Sequence, residues 1–494
     1  MSLSAVTDTV TIEVQTPAHF EISYETNSYA AIGESIKLNA SYFDKLGNIQ
    51  DIVWSSVTPT LATVDENGNV LAVASGKAVI RASVKDNPSV YQEFVVTVLS
   101  AEQSEALKFI LDSHVSNIFV RYELGIGAGT PVYYADIIGS VNKMIFNKEL
   151  EINTNYYEIS NKTEATWGEM ESIEFVTVHY TGNMSKGADA EANVAYFSAA
   201  NDVSIHYASG NDGVFYSLDE KMSGWHAGDS GSMDVVGKFE WMDTGVAYTE
   251  GEDLLHVNVT ASDDGYYEIF GQKTTIKVPA PWNYKERNTD HTINADGTLS
   301  SKPGFGGGQF TNRPIESFFN DMGLPVKVVD GKYYMGTTWW CYTQVYEGRI
   351  CSTGGNYNSV GIESAVDLGS DLWLTWHITA QLVADIMIRH NLDITRVHGH
   401  HFFAGKDCPQ PMLENDLEIW WEFLELVEAE HTKETKFSDV EFGMVSNSEY
   451  IDNTGRVKEQ PLHSQVVTYT VTIKNGDKVE TIELASVLEG QYCK

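Results

Sequence analysis

A histidine and a cysteine in one short stretch have the types and spacing suited to metal chemistry. His400 and Cys408 lie in the segment Thr395–Pro409, and Lys406 stands two positions before the cysteine. Imidazole nitrogen and thiolate sulfur are ligands that a tetrahedral Zn²⁺ prefers. Two ligands make a weak site, so we expect a third ligand elsewhere in the chain.

A further histidine follows a run with the composition of a buried strand. His179 comes at the end of Phe175–Val178, where apolar and β-branched residues predominate. Such a strand delivers one histidine at its polar end. Three protein ligands with an open fourth position are typical of a catalytic zinc. The alternative from the residues alone is a satisfied core histidine and a buried thiol, the usual state of each residue type.

Four sequence blocks follow one another in a fixed order. They are Val178–Thr181, then Val203–Tyr207 with Asn211–Gly213 and Gly224–Gly228, then Asn358–Glu363, and finally Thr395–Pro409. Together they resemble the zinc-dependent N-acetylmuramoyl-L-alanine amidases, bacterial and phage wall enzymes related to peptidoglycan recognition proteins. The resemblance covers roughly residues 165–430, with one long interruption.

The resemblance implies a particular set of metal ligands. They would be His179, His400 and Cys408, with Zn²⁺ as the cofactor. In the family the second histidine ligand stands at the eighth position before the cysteine. His398 and His401 are therefore not expected to bind the metal.

Two further residues are expected to carry the chemistry. Glu363 follows the apolar run Val360–Ile362, where a carboxylate is costly unless it is used or paired. One branch of the family uses the matching glutamate as general base, whereas other branches use a tyrosine at the position that Ile205 holds here. Lys406 matches a lysine that stabilises the oxyanion of the tetrahedral intermediate. The alternatives are a structural ion pair for Glu363 and a surface position for Lys406.

The resemblance also implies a substrate and the residues that meet it. Thr181, Trp225 and His226 are expected to contact peptidoglycan, although a packed tryptophan is an alternative; His206 is expected to be structural. The implied reaction is metal-assisted hydrolysis of the amide between N-acetylmuramic acid and L-alanine of the stem peptide. Competing hypotheses are a non-catalytic wall-binding protein and an adhesin in which cleavage is subordinate. Relatives that only bind typically lack the cysteine, so Cys408 favours hydrolysis.

The length of 494 residues predicts about two to four domains. Residues 1–100 alternate in short β-type runs typical of a sandwich, and they resemble bacterial immunoglobulin-like domains. Residues 101–435 are assigned to an α/β amidase domain with a mixed sheet flanked by helices. Residues 436–494 are assigned to a small C-terminal β-domain. The fold class is therefore multidomain.

Local patterns predict several elements within these domains. Residues 229–357 interrupt the amidase blocks and are rich in Tyr, Trp and Gly. A structureless loop of that length is uncommon, so we expect an inserted subdomain or an elaborated cleft wall. Helical periodicity occurs in Glu105–Val120 and, more clearly, in Leu372–Asn391. Alternating runs on both sides of Asn475–Gly476 predict a hairpin.

Charge and cysteine content limit the partners and the compartment. The chain has 32 Lys and Arg against 69 Asp and Glu, a net charge of −37. This argues against nucleic acid as a partner, because binding its phosphates needs clustered cations.

No apolar run reaches the roughly 18 residues of a membrane helix, and no signal-peptide core is visible. A secreted or wall-associated location is therefore inferred from function alone. Cys341 and Cys351 could form a disulfide or remain free thiols. The oligomeric state stays open.

Overall fold

The computed structural model describes most of the chain, and its residues form two compact units. The first comprises Met1–Val120, Gly139–Asn147 and Asp439–Lys494; the second comprises Arg121–Ile138 and Lys148–Ser438. The described residues are 17–126, 133–146, 152–158, 165–166, 168–170, 172–227, 241–249, 259–262, 264–277, 291–293, 298–301, 313–314, 326–336, 355–400, 408–413 and 418–492.

The first unit begins with two packed β-sheets. One has the strand order β1-β3-β7-β6 with β4 beside β3, and the other has the order β2-β9-β8-β5. Alternate residues of each strand point into one core, as Ala78, Ile80 and Ala82 do in β8. A helix, α1, and a short strand, β10, follow. Their bounds are β1 His19–Tyr24, β2 Tyr29–Ala31, β3 Ser35–Phe43, β4 Ile49–Gln50, β5 Ile52–Ser56, β6 Ala62–Val64, β7 Asn69–Ala72, β8 Gly76–Val84, β9 Asn87–Leu99, α1 Glu105–Ser113 and β10 Asn117–Ile118.

The helix α1 is shorter than the periodicity of Glu105–Val120 predicts. His114 has extended backbone and ends the helix. Asn117 and Ile118 then pair with a C-terminal strand. Tertiary strand pairing therefore overrides the helical pattern in the second half of this segment.

The second unit contains a hairpin, β11–β12, and a six-stranded mixed sheet. With β26 (Ser359–Ser364) and β27 (Val397–Gly399) included, the sheet order is β13-β16-β15-β26-β14-β27. Strands β15 and β16 are antiparallel, and the other neighbours are parallel. The first part of this unit has β11 Arg121–Ile126, β12 Tyr133–Ile137, β13 Ile152–Tyr156, β14 Phe175–Tyr180, α2 Ala190–Ala199, β15 Tyr207–Gly210 and β16 Gly213–Tyr216.

The described part of residues 229–357 consists mainly of strands. They form three antiparallel three-stranded sheets with the orders β17-β25-β24, β18-β19-β20 and β21-β22-β23. The bounds are β17 Trp241–Ala247, β18 Val259–Ala261, β19 Tyr266–Ile269, β20 Gln272–Lys277, β21 His291–Ile293, β22 Thr298–Ser301, β23 Arg313–Pro314, β24 Val326–Val329 and β25 Lys332–Gly336.

The second half of the amidase segment completes the sheet and covers it with helices. Helix α3 coincides with the predicted helix: Asp371 caps it by accepting from Leu374 N at 3.0 Å, and Asn391 ends it in the left-handed conformation, φ 53°. It packs against α5, and both bury one face of the sheet. The bounds are β26 Ser359–Ser364, α3 Leu372–His390, β27 Val397–Gly399, α4 Gln410–Leu413 and α5 Glu418–Lys436.

The C-terminal strands belong to the first unit. They form a sheet of order β10-β30-β29-β28, and Ala485 and Val487 of β30 join the core of the N-terminal sandwich. The predicted hairpin turns at Gly476, φ 59°. The domain limits near residues 100 and 435 stay a prediction, because units defined by spatial contact can join distant segments. The bounds are β28 Val440–Ser446, β29 Gln465–Asn475 and β30 Lys478–Leu488.

Candidate active site

Three neighbouring parallel strands bring polar residues to one edge of the mixed sheet. His179 of β14 is in register with Glu363 of β26. On its other side β14 pairs with β27, where Val178 matches Gly399 and His400 follows directly. The carboxyl ends of parallel strands are where open α/β sheets place their ligands. His179, Glu363 and His400 therefore lie side by side at such an edge.

The side chains of β14 point alternately to the two faces of the sheet, and this determines the face on which the site lies. Val176 and Val178 point into the core beneath α3 and α5. Successive side chains of a strand point to opposite faces, so Thr177 and His179 point away from that core. The site is thus on the sheet face opposite to the two long helices.

His179, His400 and Cys408 form a compact, buried donor cluster. Their ligand atoms all lie within 4.8 Å of one another, and the three residues are 2%, 3% and 8% exposed. Cys408 Sγ lies 3.6 Å from His179 Nδ1, and the two imidazole centroids are 4.7 Å apart. Zinc–nitrogen and zinc–sulfur bonds of about 2.0–2.1 and 2.3 Å at a tetrahedral angle separate nitrogen from sulfur by about 3.6 Å. The donor set and spacing fit Zn²⁺.

His398 lies on the same strand end but outside this cluster. Its ring packs against Phe175 with centroids 5.6 Å apart, and Phe175 stands four positions before His179 on β14. The structure therefore places His400, and not His398, beside the other two predicted ligands. His401 and Lys406 lie outside the described residues, so the predicted oxyanion contact of Lys406 stays a prediction.

A further buried histidine, His226, lies next to His179. His226 Nδ1 lies 3.1 Å from His179 Nε2, and His226 Nε2 lies 3.3 Å from the carbonyl oxygen of Ser359. The His226 ring is buried. Burial, together with the nearby His179 and His206, holds the pKa of His226 well below its usual value. His226 is therefore neutral at ordinary pH.

His206 anchors the strand that carries Glu363. Gly361 N donates to His206 Nδ1 at 2.9 Å, and His206 Nε2 donates to the carbonyl oxygen of Met222 at 2.9 Å. Burial lowers the pKa of His206 to about 4. Both ring nitrogens are committed to backbone groups, so the geometry favours the predicted structural role.

The other predicted site residues are less enclosed. Glu363 is half-buried between His179 and Ala208 in strand register. Thr181 is half-buried, and its N–H donates to the Ser364 carbonyl at 3.0 Å. Trp225 is half-buried as well.

Sequence reasoning missed the residues that fix the loop around His226. Asn356 Oδ1 accepts from the N–H groups of His226 and Ala227 at 2.9 and 2.7 Å. A Cβ on Gly361 would lie 2.6 Å from His226 Nδ1. Gly361 stands in a block that the sequence singled out, but nothing local shows that its missing side chain faces a ring more than a hundred positions away.

The remaining predictions concern cysteines and membranes. Cys408 is a free thiol; Cys341, Cys351 and Cys493 lie outside the described residues, so their pairing stays open. In the described part of the chain, no helix combines the length and apolarity needed to cross a membrane.

Two family models match the chain. Residues 169–260 match the N-acetylmuramoyl-L-alanine amidase model, and residues 18–94 match the model of the bacterial Ig-like domain, group 2. The chain therefore carries a domain of the N-acetylmuramoyl-L-alanine amidase family, preceded by a bacterial Ig-like domain. This confirms the resemblance and the multidomain fold class.

Comparisons with solved structures give matches of low TM-score. The catalytic domain of XlyA and a mutant endolysin from Bacillus subtilis are each 15% identical, with 56% of this chain and 99% of theirs covered and a TM-score of 0.28. An intimin mutant of EHEC O157:H7 is 22% identical over 16% of this chain and 45% of its own, with a TM-score of 0.14. At these TM-scores the likenesses carry no weight for function. No curated protein matches the chain.

Proposed function

We propose that this protein is a zinc-dependent hydrolase of peptidoglycan that cleaves the amide between N-acetylmuramic acid and L-alanine of the stem peptide. The observation that carries the proposal is the buried cluster of His179, His400 and Cys408. It is supported by the match of residues 169–260, which include His179, to the N-acetylmuramoyl-L-alanine amidase model. The predicted wall substrate and the Ig-like domain together support a secreted or cell-surface location.

The chain's own residues supply the metal site. His179 and His400 would bind through ring nitrogens, and Cys408 would bind as a thiolate, which leaves a fourth tetrahedral position for water or substrate. When bound there, Zn²⁺ supplies Lewis acidity toward the scissile carbonyl and makes water more acidic. The burial of the three ligands excludes competing water and strengthens electrostatic interactions at the site.

The proposed general base is Glu363. Its strand register beside His179 places a carboxylate next to the ligand cluster, where it would accept a proton from the attacking water and pass it to the leaving amine. Lys406 is proposed to stabilise the oxyanion. Thr181 and Trp225 are proposed to contact the substrate, because both stay half-exposed; the ring of His226, predicted with them, is enclosed instead.

Digestion of purified peptidoglycan by the zinc-loaded protein tests this function. We expect stem peptides with a free N-terminal L-alanine, identified by mass spectrometry, and their loss when a chelator is added. Peptidoglycan that stays intact but retains the protein would contradict the proposal and favour a wall-binding role. Cleavage at another bond would contradict the substrate bond while leaving hydrolysis in place.

A further inference from the structure

His226 lies across His179 from Cys408. One ring nitrogen of His179, Nδ1, is 3.6 Å from the Cys408 sulfur, and the other, Nε2, is 3.1 Å from His226 Nδ1. The two imidazole planes are nearly perpendicular, at 82°. His179 thus lies between the Cys408 thiol on one side and the buried imidazole of His226 on the other.

The carbonyl group of Ser359 determines where the protons of this pair reside. A carbonyl oxygen only accepts, so His226 Nε2, at 3.3 Å, must donate to it. A neutral imidazole has a single N–H, which leaves His226 Nδ1 as an acceptor. His179 Nε2 therefore donates to His226, and the lone pair of His179 Nδ1 is directed toward the ligand cluster. This network assigns the tautomers of both rings.

We propose that His226 is a positioning residue that fixes the tautomer and ring orientation of His179 for metal binding. The inference rests on the proposed zinc site. Ligating histidines usually donate their second N–H to a carboxylate, a carbonyl or water, and this contact orients the ring and tunes its basicity. Here the acceptor is a neutral imidazole that is itself hydrogen-bonded to the backbone of Ser359.

The surroundings of His226 hold its ring in one place. Added Cβ atoms on Gly361 and Gly224 would lie 2.6 Å from ring atoms of His226, so two residues without side chains form a slot around it. Asn356 accepts from the backbone N–H of His226 at 2.9 Å. His226 is 8% exposed and enclosed in this way. Its ring is therefore suited to orienting the proposed metal ligand His179 rather than to contacting peptidoglycan.

Two substitutions of His226 distinguish the effect of its hydrogen-bond acceptor from the effect of its side-chain volume. His226→Asn keeps an oxygen acceptor close to the position of Nδ1, whereas His226→Leu keeps volume and has no acceptor. We expect His226→Leu to raise the zinc dissociation constant about 10- to 100-fold and His226→Asn to stay near the wild type. Competition with a chromophoric chelator measures the constant, and the visible spectrum of the Co²⁺-substituted protein reports the coordination geometry.

Gly361→Ala provides a test that leaves every polar group in place. Its new Cβ would displace the His226 ring, so we expect weaker zinc binding here too. His390→Asn is the matched control, since His390 bonds Glu220 at 2.7 Å and does not belong to the ligand cluster; its zinc affinity should equal that of the wild type. Thermal unfolding of the metal-free variants shows that each compared protein is folded.

Three results with the variants would overturn the inference alone. His226→Leu could bind zinc as tightly as the wild type, His226→Asn could lose as much affinity as His226→Leu, or a folded Gly361→Ala could bind with unchanged affinity. A wild-type protein that binds no zinc at all would refute the zinc site itself together with the inference. If the wild type binds zinc and digests peptidoglycan while these variants are unaffected, only the inference fails.

Discussion

Two histidines two positions apart, His398 and His400, have different surroundings. His400 packs against His179 within the ligand cluster, whereas His398 packs against Phe175 outside it. Because a metal needs donors that converge on one point, the proposed site could use His400 but not His398. A substitution at each position therefore distinguishes a ligand from its neighbour.

We expect His400→Asn to lose zinc and amidase activity together, and His398→Asn to retain zinc. Removal of one of three protein ligands leaves too few donors for tight binding. Metal content by inductively coupled plasma mass spectrometry, measured beside peptidoglycan digestion, checks both. Equal zinc content in the two variants would contradict the assignment of His400.

Glu363→Gln should separate metal binding from turnover. The amide retains the shape of the side chain but cannot accept a proton, so we expect zinc content to be unchanged and the hydrolysis rate to fall about 10²- to 10⁴-fold. Initial rates of peptide release, normalised to bound zinc, provide the measurement. A fully active variant would show that another group is the base.

At the scale of elements, a buried carboxylate connects the loop after β16 to the end of α3. Glu220 accepts from Arg389 Nη2 at 2.8 Å and from Tyr207 at 2.7 Å. Burial acts to raise the pKa of Glu220, but the bonds from Arg389, His390 and Tyr207 outweigh it and lower the value to about 2. The folded state therefore favours the ionised form more than the unfolded chain does.

Glu220→Gln should lower the free energy of unfolding by about 1.5–3 kcal/mol at pH 7, the usual range for hydrogen bonds to charged groups. Because the folded pKa is depressed, this contribution is present above the unfolded value of 4.5 and declines as the pH falls toward about 2. Urea unfolding at pH 7, 4 and 3 measures the difference between variant and wild type. A difference that grew on acidification would contradict the charge argument.

Elements with strong local signals were predictable from the sequence, whereas contacts between distant segments were not. The helix Leu372–His390 and the hairpin at Gly476 follow from periodicity and turn residues. The family blocks located His179, His400 and Cys408. The contact of His226 with His179, by contrast, depends on how a loop packs onto a sheet, and no local pattern specifies it.

At the scale of the whole molecule, the first unit combines the N-terminal sandwich with strands from the C-terminal part of the chain. Val487 and Ala485 of β30 pack with the sandwich core that contains Phe94, and Thr97 Oγ1 donates to the Glu483 carbonyl. The burial of apolar side chains shared by two segments makes each segment depend on the other. The C-terminal strands should therefore stabilise the Ig-like sandwich as well as their own sheet.

Val487→Ala should destabilise β8 and β9, although both are hundreds of positions away. Val487 is 4% exposed, and a fully buried valine contributes about 1.5–3 kcal/mol relative to an exposed one. Val479 lies on the same strand but is 62% exposed, so Val479→Ala is the matched control. Hydrogen exchange followed by mass spectrometry should show faster exchange of β8–β9 peptides in Val487→Ala alone. Equal protection in both variants would mean that the sandwich is stable without this contact, as an independent Ig-like domain would be.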